Sequence, residues 1–285
     1  MKRFSALTAV LVALTLGAGA LFAQEAKPDY IDQAKIVEVA NAEKRPDGWD
    51  FSASVGSSTA FNDNRSVVGQ PEGSSWLIGF NFLGAADMVY GKHEWRNSLG
   101  FKLSFSRTPV IDEFLKSSDE LSFESIYIYR FWQPWLGAFT RVAMTTAVLT
   151  GRDVRAGVVT YLMPDGTTAA KSSLTLTDPF NPLKLKESAG LVYTPLSSDA
   201  ISIETRAGVG ARQVFADGQL VLADDAATEG IVEIGALKSY NQLGSELAAS
   251  MWGDLYGKLV TYKINAEAMT PFVHDELLAG DDRSA

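Results

Sequence analysis

The chain of 285 residues carries 25 Lys and Arg against 34 Asp and Glu, a formal charge of −9, with no cysteine and two histidines. Such an acidic chain lacks the clustered cations that neutralise a phosphate backbone, which excludes nucleic acid as a partner class. The missing cysteines exclude disulfides, thiolate metal sites, a thiol nucleophile and a lipid-anchored bacterial N-terminus, and two histidines are too few for a multi-histidine metal site.

Met1-Lys2-Arg3 is positive, residues 4–16 are mostly apolar, and Gly17, Ala18, Gly19 and Ala20 are small. This order is that of a secretory signal, with the cut expected between Ala23 and Gln24. Removing 23 of the 285 residues leaves 262, and the loss of Lys2 and Arg3 takes the charge to −11. The apolar run is too short for a membrane helix, and no later segment reaches the ~18 to 20 apolar residues that one needs. Residues 24–48 read as a polar periplasmic segment with a short helix around 31–42, ending in the linker Arg45-Pro46-Asp47-Gly48. Residues 49–285 form the domain.

From Trp49 onward apolar and polar residues alternate with period two, which means strands with one apolar face. Nine such segments are predicted, over residues 49–61, 76–90, 95–107, 121–131, 136–149, 183–193, 201–215, 242–252 and 260–272. The cleanest is the seventh, where Ile201, Ile203, Ala207, Val209, Ala211 and Phe215 oppose Ser202, Glu204, Arg206, Gly208, Gly210 and Arg212. Most exceed the usual ~5 to 6 residues of a soluble strand and reach the ~9 to 11 tilted residues that cross a bilayer. The predicted connections run about 14, 4, 13, 4, 33, 7, 26 and 7 residues, so long and short alternate as in outer-membrane barrels. Trp49, Trp95, Trp132, Trp135, Trp252, Tyr90, Tyr193 and Tyr256 gather at the domain start or by the short connections, as a belt at one membrane interface would. Within the longest connection, residues 158–176 with Pro164-Asp165-Gly166 read as a hairpin.

The stretch Gly91-Lys92-His93-Glu94-Trp95-Arg96-Asn97-Ser98-Leu99, the later Ser118-Asp119-Glu120-Leu121 and Ser188-Ala189-Gly190-Leu191 resemble the bacterial outer-membrane family known as domain of unknown function 3078, over roughly residues 49–275. The resemblance implies an envelope β-barrel with no assigned activity and no catalytic residues.

The polar phase of the strands holds Arg96, Lys102, Glu124, Arg130, Arg141, Glu204, Arg206, Arg212, Glu246, Lys263 and Glu267. Their mixed signs predict a narrow lumen filled by ion pairs rather than a wide pore. His93 beside Glu94 and His274 beside Asp275 lack the third group that a triad requires, and neither Asp224-Asp225 nor Asp281-Asp282 has the six or more oxygens of a calcium site. No catalytic, cofactor or metal site is expected.

The fold class expected is all-β, an antiparallel transmembrane barrel. Nine strands conflict with the even number usual in bacterial barrels, and the polar end Asp281-Asp282-Arg283-Ser284-Ala285 lacks a closing apolar strand. The chain is therefore expected to be a C-terminally truncated part of a barrel of about 10 to 12 strands. The expected place is the outer membrane of a diderm bacterium, with outer-membrane lipid and the barrel-assembly machinery as partners. The expected role is structural or interactive, with a minor pore at most. A soluble periplasmic lipid-binding β-protein and an outer-membrane hydrolase are the alternatives.

Overall fold

The computed structural model describes residues 47–66, 68–69, 71–223, 230–256 and 259–274. The expected signal, the helix around 31–42, Asp275 and both Asp-Asp pairs lie outside the described residues. Everything described is strand, turn or loop, in two sheets.

Nine strands make the main sheet: β1 (Gly48–Asn64), β2 (Gly73–Tyr90), β3 (His93–Thr108), β4 (Ile111–Arg130), β5 (Leu136–Thr146), β8 (Leu183–Ser197), β9 (Ser202–Phe215), β12 (Tyr240–Leu255) and β13 (Val260–His274), adjacent in that order. Every neighbouring pair is antiparallel. The strands run from 11 to 20 residues. Each overlaps one of the nine segments predicted from alternation, because one apolar face fixes both the element and its register.

Three expected loops are corrected. Residues 108–120, read as a long connection, are mostly the first half of β4. Its 20 residues begin at Ile111, and Thr108 already pairs with Ile111. Bulges after Ser104 and Ser106 shift the register there and break the clean alternation that the sequence reading needed.

The connections of 33 and 26 residues are also not loops. They supply β6 (Gly151–Leu162), β7 (Thr168–Thr177), β10 (Leu220–Leu222) and β11 (Ile231–Ala236), a second sheet in the order β10-β11-β6-β7. The hairpin with Pro164-Asp165-Gly166 is β6–β7. The two loops are joined by a parallel pairing, with Ile231, Val232 and Glu233 opposite Thr160, Tyr161 and Leu162. The sheet encloses its own core of Tyr161, Leu174, Val232 and Ile234, with Val159, Met163, Leu176 and Leu220 packed around it. It stands at the end of the main sheet opposite the short turns, where Arg152 of β6 pairs with Glu113 of β4 at 3.6 Å.

The main sheet is strongly curled. In a flat sheet, side chains four strands apart stand ~19 Å from each other, at ~4.8 Å per strand. Here Arg96 of β3 meets Glu204 of β9 at 3.0 Å, and Arg141 of β5 meets Glu267 of β13 at 2.9 Å, each pair four strands apart. Only a concave face brings such side chains together. Part of the bending is written at Gly190 and Gly208, partners on β8 and β9. A Cβ on Gly190 would lie 2.2 Å from the Ala207 carbonyl oxygen, and one on Gly208 would lie 2.1 Å from that of Ala189. No side chain fits there, so glycine is what permits this approach of the two backbones. Among the described residues β1 and β13 remain the outer strands of the sheet and do not pair with each other.

Candidate functional site

The concave face is the chemically distinctive part of the molecule. It is built by residues of one phase on each long strand, and it holds two ion-pair networks.

The first network lies toward the short turns. Arg96 donates from Nη1 and Nη2 to the two carboxylate oxygens of Glu204, at 3.2 and 3.0 Å, and from Nε to Glu94 at 2.7 Å. This two-pronged geometry suits a planar guanidinium. Arg130 donates to Glu94 at 3.1 Å and to the Thr194 hydroxyl at 3.1 Å, and its Nη2 lies 3.6 Å from Glu204. Arg206 approaches Glu204 at 3.9 Å and stacks its guanidinium over the Phe139 ring, 5.7 Å from the centroid. The Glu204 side chain is only 3% exposed and has three arginines around it.

The second network lies higher. Arg141 donates to Glu124 at 2.6 and 2.8 Å and to Glu267 at 2.9 Å, and stands 3.6 Å from Glu246. Glu267 also accepts from Lys186 at 3.2 Å and Arg212 at 3.3 Å.

Nine of the eleven charged residues predicted to share the polar phase therefore belong to these two networks. Lys102 and Lys263 make no ion pair among the described residues. Lys102 is exposed on β3. Lys263 stands on β13 within electrostatic reach of Glu124, Arg96, Glu204 and Arg206.

Glu94 and Lys186 were not in the predicted charge set. The predicted four-residue connection includes Glu94, but β3 starts at His93, which puts Glu94 in phase with Arg96. Lys186 was visible in the polar phase of its strand.

Two expectations about the faces are corrected. First, the concave face is not purely polar. Ile126, Ile128, Phe139 and Val192 form a buried apolar cluster on it. They follow the phase of Glu124 and Arg141 because Ile126 pairs with Arg141, Ile128 with Phe139 and Gly137 with Val192. Second, Trp252 does not join the aromatic belt. It is in phase with Glu246 and Ala248, pairs with Lys263, and so faces the concave side.

The other aromatics near the short turns pack together on or near the convex side. Trp49 stacks on Phe51 at 5.6 Å and meets Trp95 at 5.9 Å, Trp135 meets Tyr193 edge-on at 5.6 Å, and Phe131 contacts Tyr129 and Trp132. His93 sits among them, its Nδ1 2.5 Å from the Tyr127 hydroxyl and its ring against Tyr129. Glu94, its sequence neighbour, turns to the opposite face and is held by Arg96 and Arg130. The two therefore do not form a base–carboxylate pair.

The second sheet carries one buried polar cluster. Tyr161, fully buried, donates to Asp153 at 2.9 Å, and Arg155 donates to the same oxygen at 2.7 Å. Burial, then the bond to Asp153, raises the phenol above its ordinary value of 10.0. A raised acid favours its proton in the folded state. Its stabilising contribution is complete below the unfolded pKa and is lost as pH rises through the folded one. We expect the second sheet to loosen only above pH ~10, seen as tyrosinate absorbance and faster proteolysis within residues 151–177. Tyr161→Phe should abolish the alkaline step.

No family model, curated protein or solved structure matches the chain.

Proposed function

We propose that this chain is an outer-membrane β-barrel protein, with a lumen largely closed by ion pairs and a structural or interaction role. The observation that carries the reading is the inversion of the sheet's two faces. Phe51, Val55, Leu191, Val209, Leu247 and Ile264 are all more than half exposed on the convex side, while Glu204, Glu246 and Arg141 are buried on the concave side. In water this arrangement wastes the hydrophobic effect over a patch far larger than soluble monomers display. Against lipid tails it is the favourable one, and the aromatic cluster by the short turns supplies an interfacial girdle.

The residues named above as resembling an outer-membrane family point the same way. Export through a cleavable signal, insertion by the barrel-assembly machinery and contact with outer-membrane lipid follow from this reading.

Ring closure belongs to the proposal. β1 and β13 run in the same direction, because eight antiparallel steps separate them. An antiparallel ring is completed by one or three further strands, giving the 10 or 12 expected of such a barrel. The second sheet, made from the long loops, would then stand outside the membrane as the surface for an interaction role.

The test is to refold the protein with its ring-closing strands included into detergent and lipid vesicles. We expect the unboiled protein to migrate faster than the boiled one and to resist carbonate extraction from vesicles. A carbonate-soluble protein with a single migration would contradict the reading.

A further inference from the structure

The convex phase of the main sheet is apolar, and the charges that fall in it lie toward the long-loop end and are paired: Asp63 with Arg65 at 2.7 Å, Arg107 with Asp112, and Lys116 with Asp119 at 2.9 Å. Glu187 of β8 is the exception. It is exposed and in phase with Leu185, Ala189, Leu191 and Tyr193, and its cross-strand neighbours are Val142 on β5 and Ala211 on β9. Among the described residues its carboxylate has neither an ion pair nor a hydrogen bond. Lys184 and Lys186 flank it in sequence but belong to the opposite phase, and Lys186 reaches Glu267 on the concave side.

Its depth follows from the strand. Glu187 stands six residues above Tyr193, which packs against Trp135 in the aromatic cluster by the short turns. At ~3.4 Å per residue this is ~20 Å of strand, or ~14 Å along the axis of a barrel with strands tilted ~45°, near the middle of a ~25 Å apolar band. Leu185, Leu183 and Phe215, the partner of Leu183, continue the apolar phase beyond it. A glutamate stem is too short to carry its charge from there to the headgroups, as a long lysine or arginine stem can. A charge facing hydrocarbon is costly, and an ionisable residue kept at such a depth marks a site with a partner.

The surroundings select that partner. Thr140, Ala189 and Ala211 give the wall around Glu187 low relief, whereas β2 and β3 place Phe80, Phe82 and Phe101 on the same convex side. Small side chains let another membrane-embedded segment approach closely. That segment has to bring a positive charge. A second copy of the chain does not, because the cations of its convex phase, Arg107 and Lys116, are held by Asp112 and Asp119. A symmetric contact centred on this wall would set carboxylate against carboxylate. We infer that the β5–β8–β9 wall docks a different membrane protein, whose lipid-embedded segment presents one lysine or arginine to Glu187 at mid-depth. The inference rests on the barrel reading above and gives its interaction role a partner of stated chemistry.

The probe is a synthetic leucine–alanine membrane peptide of ~20 residues with one central lysine, compared with the same peptide carrying leucine there, each with an acceptor dye. The protein, with its ring-closing strands included, carries a donor dye on Gln133→Cys in the β4–β5 turn and is reconstituted in vesicles; the 285 residues contain no native cysteine to compete for the dye. Energy transfer to the lysine peptide is expected at a several-fold lower peptide-to-lipid ratio than to the leucine peptide. Glu187→Gln should abolish that difference while keeping the fast unboiled migration. Ala189→Phe, which adds bulk beside the carboxylate, should weaken binding of the lysine peptide several-fold and serves if the glutamine variant does not fold. Inserted protein with equal transfer to both peptides, or a lysine preference that survives Glu187→Gln, overturns the docking site and leaves the barrel standing. Transfer between donor- and acceptor-labelled copies of the protein that Glu187→Gln removes overturns it as well, because the occupant is then a second copy. A protein that does not insert at all overturns the barrel reading and the site with it.

Discussion

Replacing Glu204 by leucine should destabilise the protein by about 3–5 kcal/mol, the cost of removing one partner from a buried ion pair. Glu204 is the carboxylate that Arg96 grips with both terminal nitrogens, with Arg130 and Arg206 beside it. Its loss leaves Glu94 as the carboxylate hydrogen-bonded to Arg96 and Arg130, with three guanidiniums largely shielded from solvent. The desolvation cost of those cations is then no longer offset. The pair's own net worth is much smaller than this, because both charges are desolvated when it forms. The double variant Arg96→Met with Glu204→Leu should therefore recover part of the loss, since it removes a cation together with its partner. Reversible urea unfolding in detergent or vesicles, followed by tryptophan fluorescence, measures all three proteins. A Glu204→Leu variant within ~0.5 kcal/mol of the unaltered protein, the range of an ordinary surface change, would mean that the network is solvated and contributes little.

Leu247→Arg is expected to cost about 2–4 kcal/mol when the protein is folded in a bilayer, the value for arginine at the midplane of a membrane barrel. Leu247 stands near the middle of β12, on the convex side, 59% exposed. If water were the surrounding medium, the same change would alter an exposed surface position and stay within about 0.5 kcal/mol. The two media therefore predict different results for one substitution. Phe51→Arg, closer to the short turns and the aromatic cluster, should cost less, about 0–1 kcal/mol if it lies at the interface, because the charge can reach headgroups. A flat profile across Phe51 and Leu247 would show that the convex face does not meet hydrocarbon.

The pattern of strands was legible because alternation is a local property. A half-buried strand shows its apolar face within its own residues, so nine segments and their phases could be read one at a time. The grouping of Arg96, Glu204 and Arg141 into one polar phase was legible for the same reason. Phase does not say how far a face is bent. That Arg96 reaches Glu204, 108 positions along the chain, and that Arg141 reaches Glu267, depends on curvature accumulated over four strand steps. No single strand carries that information.

The errors in the sequence reading have equally physical causes. Ile126, Ile128 and Phe139 broke the expected polar phase, yet they were visible to a strict reading of alternation. Nearness to a short turn suggests the belt for Trp252, whereas its face follows from being in phase with Glu246. The first half of β4 was hidden by bulges, which spoil the period that reveals a strand.

By itself, then, the sequence determined that this is a chain of long, one-sided strands with a charged phase and an apolar phase, because side-chain alternation is fixed by backbone geometry at every residue. Only the tertiary structure decided which charges pair, where the concave face turns apolar, and that two separate loops build a second sheet through the parallel β6–β11 contact. Those outcomes depend on pairings between distant segments, whose energies exist only once the sheet has curled and brought them together.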